Sequence, residues 1–379
     1  MIWRNEAGYL GALAWLMTNG HDKKDRTGTG TRSKFGFINL EFDLMRNGYP
    51  IVPQLSTKQV LDEKVRVELE WMMSGSSRLE PLIAKGVHIW DNWVLKGTEV
   101  WGALLPIEQR AKKLNKADRE EYEAHSNRAF LSSALREQMQ TEYLDAKGVH
   151  THKLIGGELG PVYGRQWRDW VDTRLITNED YEANREDYWA RGFKAIDSTF
   201  STGMVVIQRR IDQIAEIEDA LRTNRDSRRM ILNAWNVSYI DEMALPPCHT
   251  LAQWAVEPDA DGNEVLNCKL YQRSGDMFLG VPFNFLFYSI MTHQLAVVHG
   301  LVPGILYHSF GDAHIYQNHF DQVRLQLTRQ PSPDNFPKID LPCADSNFDH
   351  LTSITQFTVE DVRITGNVHQ GFISAPVSV

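Results

Sequence analysis

Apolar residues recur at helical spacing in several stretches of the chain. Between Glu6 and Asn19, Tyr9, Leu10, Leu13, Leu16 and Met17 share a face and Gly20 supplies a stop, which predicts a packing helix. Leu61 to Met73 repeats the pattern with Val65, Leu69 and Met72. Glu68 lies three residues after Val65 and four before Met72, which places a carboxylate on the buried side of that helix. DRTGTGTRSKFG, Asp25 to Gly36, reads as a loop feeding a strand. From Met230 onward the texture is strand-like: MILNAWNV, LAQWAV and VLNCKLYQ are separated by Pro, Asp and Gly turns. A nearly all-apolar helix runs from Asn284 to His299 and ends at Gly300. A strand from Ile305 to Phe310 follows, then an amphipathic helix carrying Ile315, Phe320, Val323 and Leu327. Strands alternating with long helices, one of them apolar all round, predict an α/β (α+β) fold, a mixed sheet packed on helices with a buried central helix.

Two polar stretches interrupt this pattern. Lys96 to Ile155 contains a charged, Ala/Glu-rich run without Pro from Ala111 to Gly148, which predicts one or two solvent-facing helices. Thr177 to Phe200 is also polar. The expected organisation is one domain over 1–379 with insertions at about 96–155 and 177–200.

Composition narrows the class. With 42% hydrophobic and 23% charged residues the chain is an ordinary globular one. Forty Lys+Arg against 49 Asp+Glu give a formal charge of -9, so no global basic field exists to coat a nucleic acid, and none is expected as partner. The first residues lack the pattern of a secretory leader. The longest apolar run, Phe283 to Val298, is interrupted by Asn284, Ser289, His293 and Gln294, so no membrane span is expected. Cys248, Cys268 and Cys343 are too few and scattered for a disulfide scaffold, and a cytoplasmic setting is expected.

The densest chemical feature is MALPPCHT, Met243 to Thr250, where two prolines fix the backbone before Cys248 and His249. A lone cysteine is most often structural, yet a thiol held among polar groups suits a nucleophile whose thiolate nearby cations stabilise. Residue types alone leave both readings open. Arg26 opens the Gly/Thr loop, Arg228 and Arg229 precede a strand, and Arg273 and Ser274 follow one. Such clusters are commonly solvated surface; three Arg sites at element ends also suit one phosphomonoester. GDAHIY and PFNF offer His314, Tyr316 and Asn284 for reading a small ligand, although Asp312 and Asn284 fit helix N-caps equally well. His308, His314, His319 and Cys248 have ligand chemistry but lack metal-site spacing, so no metal is expected. IWDNW, Ile89 to Trp93, fits either core packing or a stacking wall for a planar heterocycle.

Taken together, DRTGTGT, ELEW, IWDNW, GELGPVYGRQWRDW, DSRRMILNAWN, LPPCH, YQRSGDMFLGVPFN, GDAHIYQNH and the terminal SAPVSV resemble the thymidylate synthase family, in that family's order and over nearly the whole chain outside the two insertions. The resemblance implies a symmetric homodimer that binds dUMP and 5,10-methylenetetrahydrofolate. It implies Cys248 as the nucleophile adding to uracil C6. Arg26, Arg273 and Ser274 would hold the 5'-phosphate, with Arg228 and Arg229 crossing to the other subunit. His314 and Tyr316 would bond the sugar 3'-hydroxyl, and Asn284 would read the O4/N3 edge of uracil. Trp90, Trp93, Leu245, Asp276, Gly280 and Phe283 would line the folate, and Val379 would close over it.

The chemistry explains these residue types. Uracil C5 is a poor nucleophile until a thiolate adds at C6 and makes an enolate, which attacks the one-carbon iminium of the folate. A base must then remove the C5 proton; Glu68, Tyr163 and His249, organising water, are the candidates, with Asp276 also counted in the catalytic set. Elimination leaves an exocyclic methylene. Hydride from tetrahydrofolate gives dTMP and dihydrofolate, whereas water gives 5-hydroxymethyl-dUMP, the reaction of hydroxymethyltransferases of phages with modified DNA. Trp90, Leu245 and Tyr163 would shield the methylene from water and favour reduction. Glu70 stands where synthases usually carry Leu or Ile, making ELEW similar to the dCMP hydroxymethylase segment, and the insertions resemble those of phage members. A catalytically silent binding protein of the same fold is the third reading.

Overall fold

The computed structural model of the chain describes residues 3–104, 107–126, 133–147, 149, 152–199, 203–342 and 351–377. Val379 and Cys343 lie outside them. By internal contacts the chain forms two compact units, one of 1–77 with 160–379 and one of 78–159.

The first unit is built on an eight-stranded mixed sheet. Its main strands are β1 (Thr31–Phe35), β2 (Asn39–Asp43), β3 (Ile231–Asn233), β4 (His249–Pro258), β5 (Glu264–Asp276) and β6 (Val302–Tyr316). They run in the order β2-β6-β5-β4-β3, with β1 pairing the C-terminal part of β6 and β2 its first part. The main helices are α1 (Asn5–Asn19), α2 (Asp62–Met73), α3 (Gln213–Thr223), α4 (Gly280–His299) and α5 (Phe320–Thr328). β5 and β6 are parallel and α4 is their crossover, a βαβ unit that lays the apolar helix on the sheet. Phe285, Leu286, Ile290, Met291 and Leu295 of α4 are buried, and Phe285 packs at a tilt on Phe42 of β2 with ring centroids 4.4 Å apart. The predicted mixed sheet and buried central helix are both present.

Several boundaries differ from the sequence reading. α4 begins at Gly280, four residues before Asn284, so Asn284 is inside the helix and not its N-cap. GDAHIY belongs to β6, which runs through to Tyr316; Asp312 is a strand residue, and Ile315 is in that strand while α5 starts at Phe320. The strand that the Asp25 to Gly36 loop feeds, β1, begins at Thr31. By length and composition α4 passes the test for a membrane span, but 78% of its most apolar window is buried inside the protein, as befits a core helix.

The stretch read as 177–200 carries two short helices, Asn178–Ala183 and Arg185–Ala190, and then one strand of a small sheet. Strands Trp170–Thr177, Lys194–Thr199 and Met204–Ile211 pair antiparallel, and Tyr181, Phe193, Val205 and Ile207 make a local core. In the 78–159 unit the 96–155 stretch contains helices Ile107–Ala111, Lys116–Ser126 and Ser133–Ala146, flanked by the paired strands Val100–Leu104 and His152–Gly156. These helices do more than face solvent: Leu114, Tyr122 and Leu144 are buried against one another, and the buried Arg110 bonds Asp145 and the Val149 carbonyl.

Burial also sets a pH response. It pushes His249 down to about 3 and His293 and His299 to about 4, with Arg222 and Arg225 adding to the shift at His299. The folded state refuses protons that the unfolded chain accepts below about pH 6.5, so these groups make stability fall as pH falls through that value. The urea midpoint is expected to drop steadily between pH 7 and pH 5, above the range where carboxylates protonate; a flat midpoint over that window would contradict this account.

Candidate active site

The strand register assembles the site. Antiparallel pairing sets His249 opposite Gln272, and the Arg273 N–H donates to the Cys248 carbonyl at 2.8 Å. Parallel pairing sets Ser274 opposite Asp312 and Asp276 opposite His314. Cys248, Arg273, Ser274, Asp276, His314 and Tyr316 therefore meet where the parallel strands β5 and β6 end, the usual side for ligands in such sheets.

Cys248 is fixed from several directions. Its N–H donates to Tyr163 Oη at 2.7 Å. Arg273 donates from Nε to the Pro247 carbonyl and from Nη2 to the Pro246 carbonyl, each at 2.8 Å, clamping the two prolines ahead of the thiol. Burial pushes the thiol above its ordinary range; the Arg273 charge pulls it down, Asp276 pushes it up and Arg26 pulls it down. The resting group is thus a thiol, with two arginines that favour its ionisation. Burial drives the other described cysteine, Cys268, up to about 12, which leaves it inert.

Behind Cys248 lies an aromatic layer. His249 is buried, stacks on Tyr163 with centroids 4.1 Å apart, and its Nδ1 lies 2.8 Å from Tyr288 Oη. Its lowered pKa keeps this ring neutral. Tyr163 holds φ +28°, a strained setting for a residue with a side chain. The next residue, Gly164, approaches α2 so closely that a Cβ would sit 2.2 Å from the Met72 carbonyl oxygen. That contact brings α2 against the turn, and the charge of buried Glu68 is felt at both Tyr163 and Tyr288. Burial is the main cause that raises both tyrosines well above their ordinary range; nearby Cys248 comes next at Tyr163 and Cys268 at Tyr288, with Glu68 adding least.

The remaining predicted residues fall into groups. Arg26 is exposed on a loop that Asp25 ties together, its Oδ1 accepting from Gly30 N–H at 2.7 Å and its Oδ2 from Thr27 N–H at 3.0 Å. Gly28 and Gly30, at φ +74° and +81°, supply the left-handed turns. His314 is buried with Nδ1 3.3 Å from Asp312 Oδ1, and with Lys23 it holds that carboxylate down at about 2. Burial lifts Tyr316 to about 12. Asp276 Oδ1 accepts from the Phe278 and Leu279 N–H groups at 3.0 and 3.2 Å, shaping the entry to α4, where Gly280 and Phe283 are half-buried. Leu245 is half-buried just before the prolines. Arg228 and Arg229 are exposed on the loop entering β3; the charges acting on the Cys248 thiol are Arg273, Asp276 and Arg26. Trp90, buried, and Trp93, on the turn Asp91–Trp93, belong to the 78–159 unit.

A sequence profile described as thymidylate synthase matches residues 7–379. The chain belongs to the thymidylate synthase family. A thymidylate synthase of Ascaris suum is 35% identical over 376 residues, covering 99% of this chain and 97% of that protein. Members of this family bind dUMP and folate.

Three residues near the site escaped the sequence reading. Tyr288 carries a signal that was available: Asn284, Tyr288 and Thr292 recur every fourth residue in α4, and all three meet sheet side chains, Gln272, His249 and Trp254. Lys58 is buried, pushed down to about 7 against the pull of Asp276, with its ammonium on the Phe278 carbonyl and 3.8 Å from that ring's centroid. Gln272, next to Arg273, bonds Asn284.

Proposed function

We propose that this chain methylates dUMP at C5 reductively, taking the one-carbon unit and the hydride from 5,10-methylenetetrahydrofolate and releasing dTMP and dihydrofolate. The observation that carries this reading is the clamped Cys248 thiol, held between Tyr163 and the Arg273 fork at the ends of β5 and β6. Sulfur adds to C6, and the Arg26 and Arg273 charges that favour its ionisation also suit the 5'-phosphate, together with Ser274. Arg228 and Arg229 of the partner subunit would complete that phosphate site in a homodimer. His314 and Tyr316 hold the sugar. Asn284 reads the base. Glu68, with neutral His249 and Tyr163, positions the water that takes the C5 proton. Leu245, Gly280, Phe283 and Asp276 offer the folate a wall, joined by Trp90, Trp93 and Val379 by analogy with the family.

Glu70 bears on the choice between hydride and water. Its Oε2 accepts from Val359 N–H at 2.9 Å, while Arg66 one turn earlier donates to the Val359 and Val362 carbonyls. The residue that departs from the usual Leu or Ile thus has a structural use, anchoring the segment at Val359. Incubation with dUMP and methylenetetrahydrofolate tests the choice. Dihydrofolate in step with dTMP is expected; a nucleotide heavier by formaldehyde without dihydrofolate would make the enzyme a dUMP hydroxymethyltransferase. Asn284→Asp is expected to shift relative use of dCMP over dUMP by on the order of 100-fold, measured as a ratio of kcat/KM values. Unchanged discrimination would remove Asn284 from base reading.

A further inference from the structure

Uracil presents an acceptor at position 4 and a donor at N3, whereas cytosine presents the reverse. An asparagine amide can complement either base, depending on which way round it lies. Discrimination by Asn284 therefore requires something that stops its amide from turning over.

The polar groups behind Asn284 form one directed chain. Gln272 is buried, and its Nε2 lies 2.9 Å from the Ser274 carbonyl and 3.1 Å from Asn284 Oδ1. The Ser274 carbonyl can only accept, so the Gln272 nitrogen must face it, and the same NH2 group then donates to Asn284 Oδ1. Gln272 Oε1 is left to accept, and His308 Nε2 stands 2.8 Å from it. His308 must therefore carry its proton on Nε2. The other ring nitrogen, Nδ1, is buried with no hydrogen-bond partner among the described residues, which suits the unprotonated nitrogen of a neutral ring. Burial above all, with the Lys269 charge adding to it, holds His308 well below its ordinary pKa. Phe310 packs on the ring with centroids 4.1 Å apart. Space for Phe310 exists because residue 275 is glycine: a Cβ there would lie 2.7 Å from the phenyl ring.

We propose that His308 is a specificity-positioning residue: as the Nε2–H tautomer it fixes the Gln272 amide, which pins Asn284 Oδ1 inward and sets the amide polarity that accepts uracil and rejects cytosine. This rests on the reading of Asn284 as the base reader. His308 is fully buried behind Gln272 and acts only through it. Without that proton donor only the Ser274 carbonyl orients Gln272, and the reversed state of both amides becomes easier to reach.

The test is equilibrium binding of dUMP and of dCMP to the full chain, without folate. His308→Phe keeps a buried ring but no donor, and the dUMP-over-dCMP preference is expected to fall about five- to tenfold. His308→Gln, which restores an N–H at similar reach, is expected to recover most of it, a rescue that a purely packing role would not show. A wild-type preference retained in His308→Phe would overturn the proposal and leave the reading of Asn284 standing. A wild-type protein with no preference would instead sink that reading. Should His308→Phe fail to fold, nitrogen NMR of the wild-type imidazole decides: a neutral Nε2–H ring from pH 6 to 8 is expected, and an Nδ1–H ring overturns the proposal.

Discussion

Cys248→Ala is expected to lower turnover by at least about 10⁴-fold while dUMP still binds. The sulfur is the atom that joins C6, and no other described group can replace it: the second described cysteine, Cys268, is fully buried and protonated. Binding should persist because the phosphate, sugar and base contacts assigned here belong to Arg26, Arg273, Ser274, His314, Tyr316 and Asn284. Alanine also leaves the local backbone intact, since Tyr163 and Arg273 hold main-chain atoms of residues 246–248. Isothermal titration with dUMP, beside a turnover assay, checks both halves. Wild-type turnover in the variant would remove Cys248 from the chemistry and leave a protein of this fold that acts by binding.

Arg273→Leu is expected to cost on the order of 10³ in kcat/KM for dUMP, because one guanidinium has three tasks. It bonds two proline carbonyls and draws the thiol pKa downward against burial, and the proposed function gives it the 5'-phosphate as well. The sign of the last effect is definite. Removing the cation disfavours the thiolate, so the Cys248 pKa rises and less thiolate is present at neutral pH. Alkylation by iodoacetamide, followed against pH, should shift its rising limb to higher pH. Arg273→Lys restores the charge but not the fork, and is expected to recover part of the alkylation profile without full kcat/KM. An alkylation profile identical to wild type in Arg273→Leu would contradict the electrostatic assignment.

Much of this site was legible in the sequence because its residues sit in short contiguous motifs. LPPCH placed a thiol behind two prolines, and QRSGD placed Arg273 and Ser274 side by side. Periodicity alone put Glu68 on the buried face of α2. What the sequence did not reveal depends on register between distant strands. Nothing near Gln272 signals that it faces His308 on β6 and Asn284 on α4; that follows from the β4-β5-β6 pairing and the crossover. The boundary errors share a cause. Asn284 and Asp312 resemble caps locally, but tertiary packing extends α4 back to Gly280 and carries β6 through to Tyr316. In the 96–155 stretch, charge density concealed a few buried residues, Leu114, Tyr122 and Leu144, that give its helices a core.

The central claim is that Cys248 activates C5 of the base by adding at C6. It is tested most directly with dUMP carrying tritium at C5, incubated with methylenetetrahydrofolate and either wild type or Cys248→Ala. The account predicts tritium release to water in step with dTMP from the wild type and none above background from the variant. Release from Cys248→Ala at the wild-type rate would contradict it.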